Sequence, residues 1–230
     1  MERFGIQTLP AQFQLPYHVH RDGYVTVVLE GSYLESGDGG RCHVVPGAVL
    51  VHSEFDAHRN ETAARPVRLL NLPLPSPVPG HAHYEIADPD LIARLSQADL
   101  RAASEQLFCL ARPVLREIDD LPGVLAQHIR ENPCFSLTRW ARHYGISPSY
   151  AARQFRRAFG VTAAVYRKRA RFHHARQMLE RTEVPLADVA ATAGYTDQPY
   201  FNRCFKAETG LSPMEWRRFR KLQYARISPP

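Results

Sequence analysis

The chain has 230 residues, 44% of them hydrophobic, which is enough to give a core to one large domain or to two ordinary ones, and two is the better expectation. It contains no run of about 18 apolar residues, and Glu2 and Arg3 open an N-terminus without the apolar stretch of a signal peptide, so no membrane partner is expected and the location is read as cytoplasmic. The net charge of +6 conceals a division: residues 1–118 hold 10 Arg and 14 acids, while residues 119–230 hold 19 Lys plus Arg and 9 acids, so the whole cationic excess lies in the second half. Such asymmetry points to a polyanionic partner for that half, although a solvated basic surface would look the same. Cys42, Cys109, Cys134 and Cys204 are scattered without a CxxC pair, which argues against a zinc ribbon or a disulfide framework and reads as reduced, mostly packed thiols.

From Pro16 to Leu74 the chain reads as short strands: "YVTVVLEG", "SYLESGDGGRCHVV", "PGAVLVH" and "VRLLNLPLP", with "GDGG" at Gly37 to Gly40 as a hairpin tip. Gly-rich turns between such strands favour a small barrel or sandwich. A proline-dense break follows at Pro73–Pro79. Leu91, Leu95, Leu107, Leu110, Val114 and Ile118 then recur at helical spacing, predicting two helices that pack on the barrel or, alternatively, meet a second subunit in a homodimer. The expected divisions are 1–80, 81–118 and 119–230.

The last division carries the same phrase twice. Leu137, Trp140, Ala141, Tyr144 and Gly145 precede Leu186, Val189, Ala190, Ala193 and Gly194 by 49 residues; with one added residue, Tyr150, Phe155, Gly160 and Tyr166 match Tyr200, Phe205, Gly210 and Trp216. Each copy predicts a short helix ended by glycine, then a second helix opened by Ser147-Pro148 or Thr196-Asp197. In the second helices, near 148–159 and 197–208, Ala151, Phe155 and Ala158, or Phe201 and Phe205, form the buried stripe. Ser149, Ala152, Arg153 and Arg156, or Gln198, Asn202, Arg203 and Lys206, are left outside, and none of these is acidic. Small, amide and guanidinium side chains suit base edges in a major groove.

The copies are joined by Ala163–Arg181, whose Phe172, Ala175, Met178 and Leu179 make an apolar side. Nineteen helical residues span roughly 28 Å, approaching the ~34 Å between successive major grooves on one face of DNA. Arg167, Lys168 and Arg171 can lie outside that apolar side, as phosphate neutralisers or as a merely solvated face.

Residues 120–222 resemble the DNA-binding domain of AraC/XylS-type transcription regulators, most closely in "LADVAATAGYTDQPYFNRCFKAETGLSPMEWRR". The first copy departs from that pattern with Ala151 where Leu is usual and Thr162-Ala163 in place of Ser-Pro. The loss at Ala151 is about 2–3 kcal/mol if uncompensated, and Trp140 is the candidate to fill the space. The resemblance implies two reading helices in adjacent major grooves, with Ser149, Ala152 and Arg153, then Gln198, Asn202 and Arg203, meeting bases. Arg153 and Arg203 have a rival role as intradomain or phosphate contacts. Double-stranded promoter or operator DNA is the implied partner, with RNA polymerase admitted as a further one.

"YHVHRDGYVTVVLEG" and "PGAVLVH" resemble a cupin-like sensor domain over residues 16–75. The fold class expected is therefore α+β and multidomain: a cupin-like β-barrel over 1–80, connecting helices over 81–118, and an all-α domain with two helix-turn-helix motifs over 119–230. His18, His20, Tyr24 and His58 are the candidate ligand-binding residues for an unidentified small-molecule effector. His18, His20 and His58 also make a candidate metal set, but Tyr24 stands where a metal-binding cupin usually has Glu, so no cofactor is expected. His52, His81, His83, His173 and His174 read as solvent-facing or packed. The leading reading is a bacterial, sequence-specific regulator and not an enzyme. The alternatives are a metal-dependent cupin enzyme fused to a helical module and a ligand-independent architectural DNA binder.

Overall fold

The computed structural model describes residues 4–75, 82–114, 118–132 and 134–227; His81 and most of the proline-dense break lie outside them. The chain divides into two compact units, Met1–Gly123 with Ala158–Gly160 and Val124–Arg157 with Val161–Pro230. The first contains β1 (Gly5–Leu9), β2 (Gln14–Val19), β3 (Tyr24–Glu30), β4 (Tyr33–Gly37), β5 (Gly40–Val44), β6 (Ala48–His52), β7 (Ala57–Thr62), β8 (Val67–Pro73), α1 (Pro89–Ser96) and α2 (Leu100–Leu110), with two short strands, β9 (His83–Glu85) and β10 (Arg112–Pro113), on either side of the helices.

These strands form two antiparallel sheets, β1-β8-β3-β6-β9-β10 and β2-β7-β4-β5. The barrel expected from the sequence is thus realised among the described residues as two separately hydrogen-bonded sheets. The chain changes sheet at the corner between β3 and β4, where Gly31 has φ +77° and an added Cβ would lie 2.3 Å from the Pro66 carbonyl oxygen. Only glycine satisfies both demands. The anticipated hairpin is present, with Gly37 paired to Gly40 and Asp38-Gly39 as its two-residue link.

β3 is buried on both faces, which accounts for its unbroken apolar run. Val25 and Val27 join Leu70, Leu72, Ile92, Ala103 and Leu107 in one core; Val28 joins Tyr33, Val44, Leu50 and Leu69 in another. α1 and α2 therefore pack on the larger sheet, and Ser104 Oγ donates to the Pro73 carbonyl at 2.8 Å. Asp88 and Asp99 cap the two helices by accepting from Leu91 N and from Arg101 N.

The apolar stripe differs from its sequence reading. Leu107 is buried, but Leu95 and Leu110 are 39% and 44% exposed, and Ile92 and Ala103 take the inward places. Val114 and Ile118 are not helical. Pro113 disfavours helical backbone at Arg112, Ala111 turns extended, and Arg112 pairs with Glu85 in the sheet.

The second unit contains α3 (Leu121–Glu131, entered across the boundary), α4 (Leu137–His143), α5 (Pro148–Phe159), α6 (Ala163–Arg181), α7 (Leu186–Thr192), α8 (Gln198–Thr209) and α9 (Pro213–Ile227). The duplication is visible in backbone bonding. After α4, Ile146 N donates to Ala141 O and Gly145 N to Arg142 O; after α7, Tyr195 N donates to Ala190 O and Gly194 N to Ala191 O. Both are Schellman closures around a left-handed glycine, at φ 64° and 79°.

Each following helix is capped. Ser147 Oγ accepts from Tyr150 N at 3.1 Å, and Asp197 Oδ1 accepts from Tyr200 N at 2.7 Å. Asp197→Ala is expected to cost about 1 kcal/mol of stability, measured by urea denaturation; Asp197→Asn, which keeps an accepting oxygen, is expected to lose less than half of that.

Buried aromatics hold the second copy together, with Phe205 lying 5.4 Å from Phe172, 5.7 Å from Phe201 and 5.9 Å from Trp216, ring centre to ring centre. In the first copy Ala151 and Phe155 are buried, while Ala158 is only half-buried. Trp140, the candidate to compensate for Ala151, is buried and packs on Tyr144 at 4.5 Å. α6 carries two buried cations that the sequence reading missed, Arg169 and Arg176. The cysteines are free but not mostly packed: only Cys42 is buried, Cys204 is half-buried, and Cys109 and Cys134 are exposed. Cys109 faces outward one step from Phe108 on α2, and Cys134 sits in the connection after α3, where no core reaches it.

Candidate nucleic-acid interface and ligand cavity

The positions nominated as DNA contacts lie on the outer sides of α5 and α8. Ser149, Arg153, Arg156, Arg203 and Lys206 are exposed, and Ala152, Gln198 and Asn202 are half-buried. Arg153, Arg156 and Arg203 have no carboxylate partner among the described residues; the Arg203 guanidinium lies 5.9 Å from the Tyr200 ring. Asn202 Oδ1 is buried without a hydrogen-bond partner. The two faces are thus cationic and polar, with hydrogen-bonding capacity in hand.

The three α6 cations differ from these. Arg167 donates to the Phe135 carbonyl at 2.8 Å, Lys168 pairs with Glu208 at 3.0 Å, and Arg171 is half-buried. Arg167 and Lys168 therefore tie α6 to its neighbours as well as adding charge.

In the first unit a cavity of about 840 Å³ lies between the sheets, and it brings together all four residues nominated there, His18, His20, Tyr24 and His58. The His18 ring lies 4.5 Å from His20 and 4.7 Å from His58. The register of β3 with its neighbours orders the lining. Tyr24 is opposite His52, then Thr26 is opposite Asn71, and then Val28 is opposite the lining residue Leu69. Leu9, Phe13 and Leu15 add further apolar wall. The lining thus combines the imidazole and phenol groups with apolar residues and with the amides and hydroxyls of Gln7, Thr8, Thr26, Asn60 and Asn71.

Two further residues adjoin the imidazole cluster, His52 and Glu35, the second of which the sequence reading did not single out. His52, read there as solvent-facing or packed, is the packed kind: it is buried and stacks on Tyr24 at 4.5 Å and 22°. Glu35 is buried opposite Asn60, and its Oε1 is 4.0 Å from His52 Nδ1. The available signal was the alternation of β4, which puts Tyr33, Glu35 and Gly37 on one side.

Burial pushes the Glu35 carboxyl up to about 8, with the charge of Asp56 adding to the effect and a hydrogen bond from Tyr33 opposing it. Burial, and then the neighbouring imidazoles His20, His83 and His18, push His52 down to about 3; burial also holds His58 well below the ordinary histidine value. In ion-free protein at neutral pH, a neutral carboxylic acid thus lies in a cluster with the neutral rings of His52 and His58. Because Glu35 binds its proton more tightly folded than unfolded, its stabilising contribution is complete below about 4.5 and is lost as pH rises through about 8. Glu35→Gln removes this loss. In chelator-treated protein the variant is expected to gain on the native chain by on the order of 2–4 kcal/mol between about pH 5 and pH 9, read from urea midpoints. A difference that does not change with pH would show Glu35 ionised throughout.

Two capped, glycine-closed helix pairs in direct repeat, each turning a cationic face outward, define a tandem helix-turn-helix domain. Residues 140–218 match the family model described as a helix-turn-helix domain. The chain is 30% identical over 139 residues to the arabinose operon regulatory protein of Escherichia coli, covering 60% of this chain and 46% of that one. It is 36% identical over 100 residues to the transcriptional activator RhaR of Klebsiella pneumoniae, covering 44% and 35%. The chain thus spans less than half of the length of these relatives. Among solved structures, the C-terminal domain of AraT, a response regulator from Geobacillus stearothermophilus, is 28% identical with a TM-score of 0.41, covering 44% of this chain and 87% of that one. No helix among the described residues is long and apolar enough to cross a membrane.

Proposed function

We propose that the protein is a sequence-specific DNA-binding transcription regulator of the AraC/XylS type, acting in the bacterial cytoplasm rather than as an enzyme. The observation that carries this reading is the pair of outward faces on α5 and α8, where Arg153, Arg156, Arg203 and Lys206 stand exposed and no nominated position is acidic. Such faces set on equivalent capped helices suit two successive major grooves. Similarity to a regulatory protein over 139 residues and to a transcriptional activator over 100 residues supports the same role.

The cavity supports the effector half of the reading. At about 840 Å³, lined by Leu9, Phe13, Leu15 and Leu69 together with His18, His20, Tyr24 and His58, it suits a small molecule with both apolar and polar parts.

Mobility shifts with an enriched operator and with random duplex, run at graded salt, test the proposal. A regulator binds the operator at least about a thousandfold more tightly than random duplex, and binding falls steeply with salt. Equal affinity for both duplexes would favour an architectural binder instead.

A further inference from the structure

We propose that Glu35, His52 and His58 bind a divalent first-row transition-metal ion in the wall of the cavity. The donors come from three strands, β4, β6 and β7, and one ligand atom from each lies within 4.8 Å of the others. All three side chains are buried. His58 Nδ1 is buried without a hydrogen-bond partner, which is costly for a ring nitrogen unless something else engages it.

The surroundings orient the set. With the Asn60 amide turned to satisfy both of its ends, its nitrogen donates to Glu35 Oε2 at 3.2 Å and to the Arg59 carbonyl at 2.8 Å, which leaves Oε1 on the His52 side at 4.0 Å from Nδ1. Tyr24, stacked on His52, fixes that ring. Ligand atoms about 2.0–2.2 Å from one ion stand roughly 3 Å or a little more apart, so small side-chain adjustments close the site.

A second donor set, His18, His20 and His58, shares one member with the first. It lacks a carboxylate to offset the charge of a buried dication, and His20 Nε2 lies 3.2 Å from the Tyr24 hydroxyl. The carboxylate absent at position 24 is thus supplied from β4. Two imidazoles and one carboxylate suit iron, cobalt, nickel or zinc and leave coordination positions for a ligand in the cavity. The proposal stands apart from the DNA-reading role, because metal loading is measured without DNA.

The test is titration of untagged, chelator-treated full chain with Co²⁺, followed by its visible d–d absorption and by metal analysis. One ion per chain is expected. Glu35→Gln and His52→Gln are expected to weaken Co²⁺ binding at least about tenfold, and His18→Gln less than about threefold. Substoichiometric loading, a thiolate charge-transfer band, or an equal loss in His18→Gln would overturn the assignment. X-ray absorption at the cobalt edge of the unmutated protein decides the matter if a variant fails to fold. Two imidazoles with oxygen donors are expected there, and three imidazoles would refute the proposal.

Discussion

Phe205→Ala is expected to destabilise the second unit by about 3–5 kcal/mol, the largest effect of any single change considered. Phe205 has no exposed surface, and its ring meets Phe172 of α6, Phe201 of α8 and Trp216 of α9. Truncation removes hydrocarbon burial and opens a void that three helices border, and close-packed helices cannot collapse far into it. Urea denaturation followed by tryptophan fluorescence measures the effect, since Trp216 reports from the same cluster. Phe205→Leu, which keeps most of the volume, is expected to lose less than half as much. If alanine costs under about 1 kcal/mol, the packing of α8 on α6 and α9 does not depend on this ring.

Arg203→Ala is expected to weaken binding to the specific operator by about 1–3 kcal/mol and to relax selectivity in one half of the site. Arg203 is exposed on α8 and its guanidinium lies 5.9 Å from the Tyr200 ring, so its removal leaves no buried charge behind and little fold stability is at stake. The loss then reads as lost contact with DNA. Footprinting and salt-graded mobility shifts separate two kinds of contact: a base reader changes which sequences bind, while a phosphate contact weakens all sequences alike and lowers the salt slope by about one. Unchanged affinity and footprint would remove Arg203 from the interface.

The helical half was legible because its signals are local. Gly145 and Gly194 end helices, Ser147 and Asp197 begin them, and Phe201 and Phe205 mark an inward face at helical spacing; all of these act within a few residues of where they are read. α5 and α8 consequently fall within a residue of their expected bounds. The front half was less legible because, beside its two hydrocarbon cores, part of the space between its sheets is a cavity with polar lining. β7 turns His58 and Asn60 toward that cavity, so its inward face is polar and apolar alternation does not reveal it. His18, His20 and His58 were visible through resemblance, whereas Glu35 and His52 required the register that sets β4 beside β7 and β6 beside β3. Arg169 and Arg176 of α6 escaped for the opposite reason: charge in a sequence reads as surface, and only tertiary packing encloses them.

The two closures and caps repeat almost atom for atom, yet what the modules display differs: Ser149 and Ala152 on α5 stand where α8 has Pro199 and Asn202. Unequal modules in head-to-tail order have no twofold axis to relate them. One chain gripping a duplex through both would have a front and a back, and inverting its site would turn the whole protein to face the other way along the DNA. Direction of action would then be written into a single polypeptide, without a twofold-related partner to cancel it.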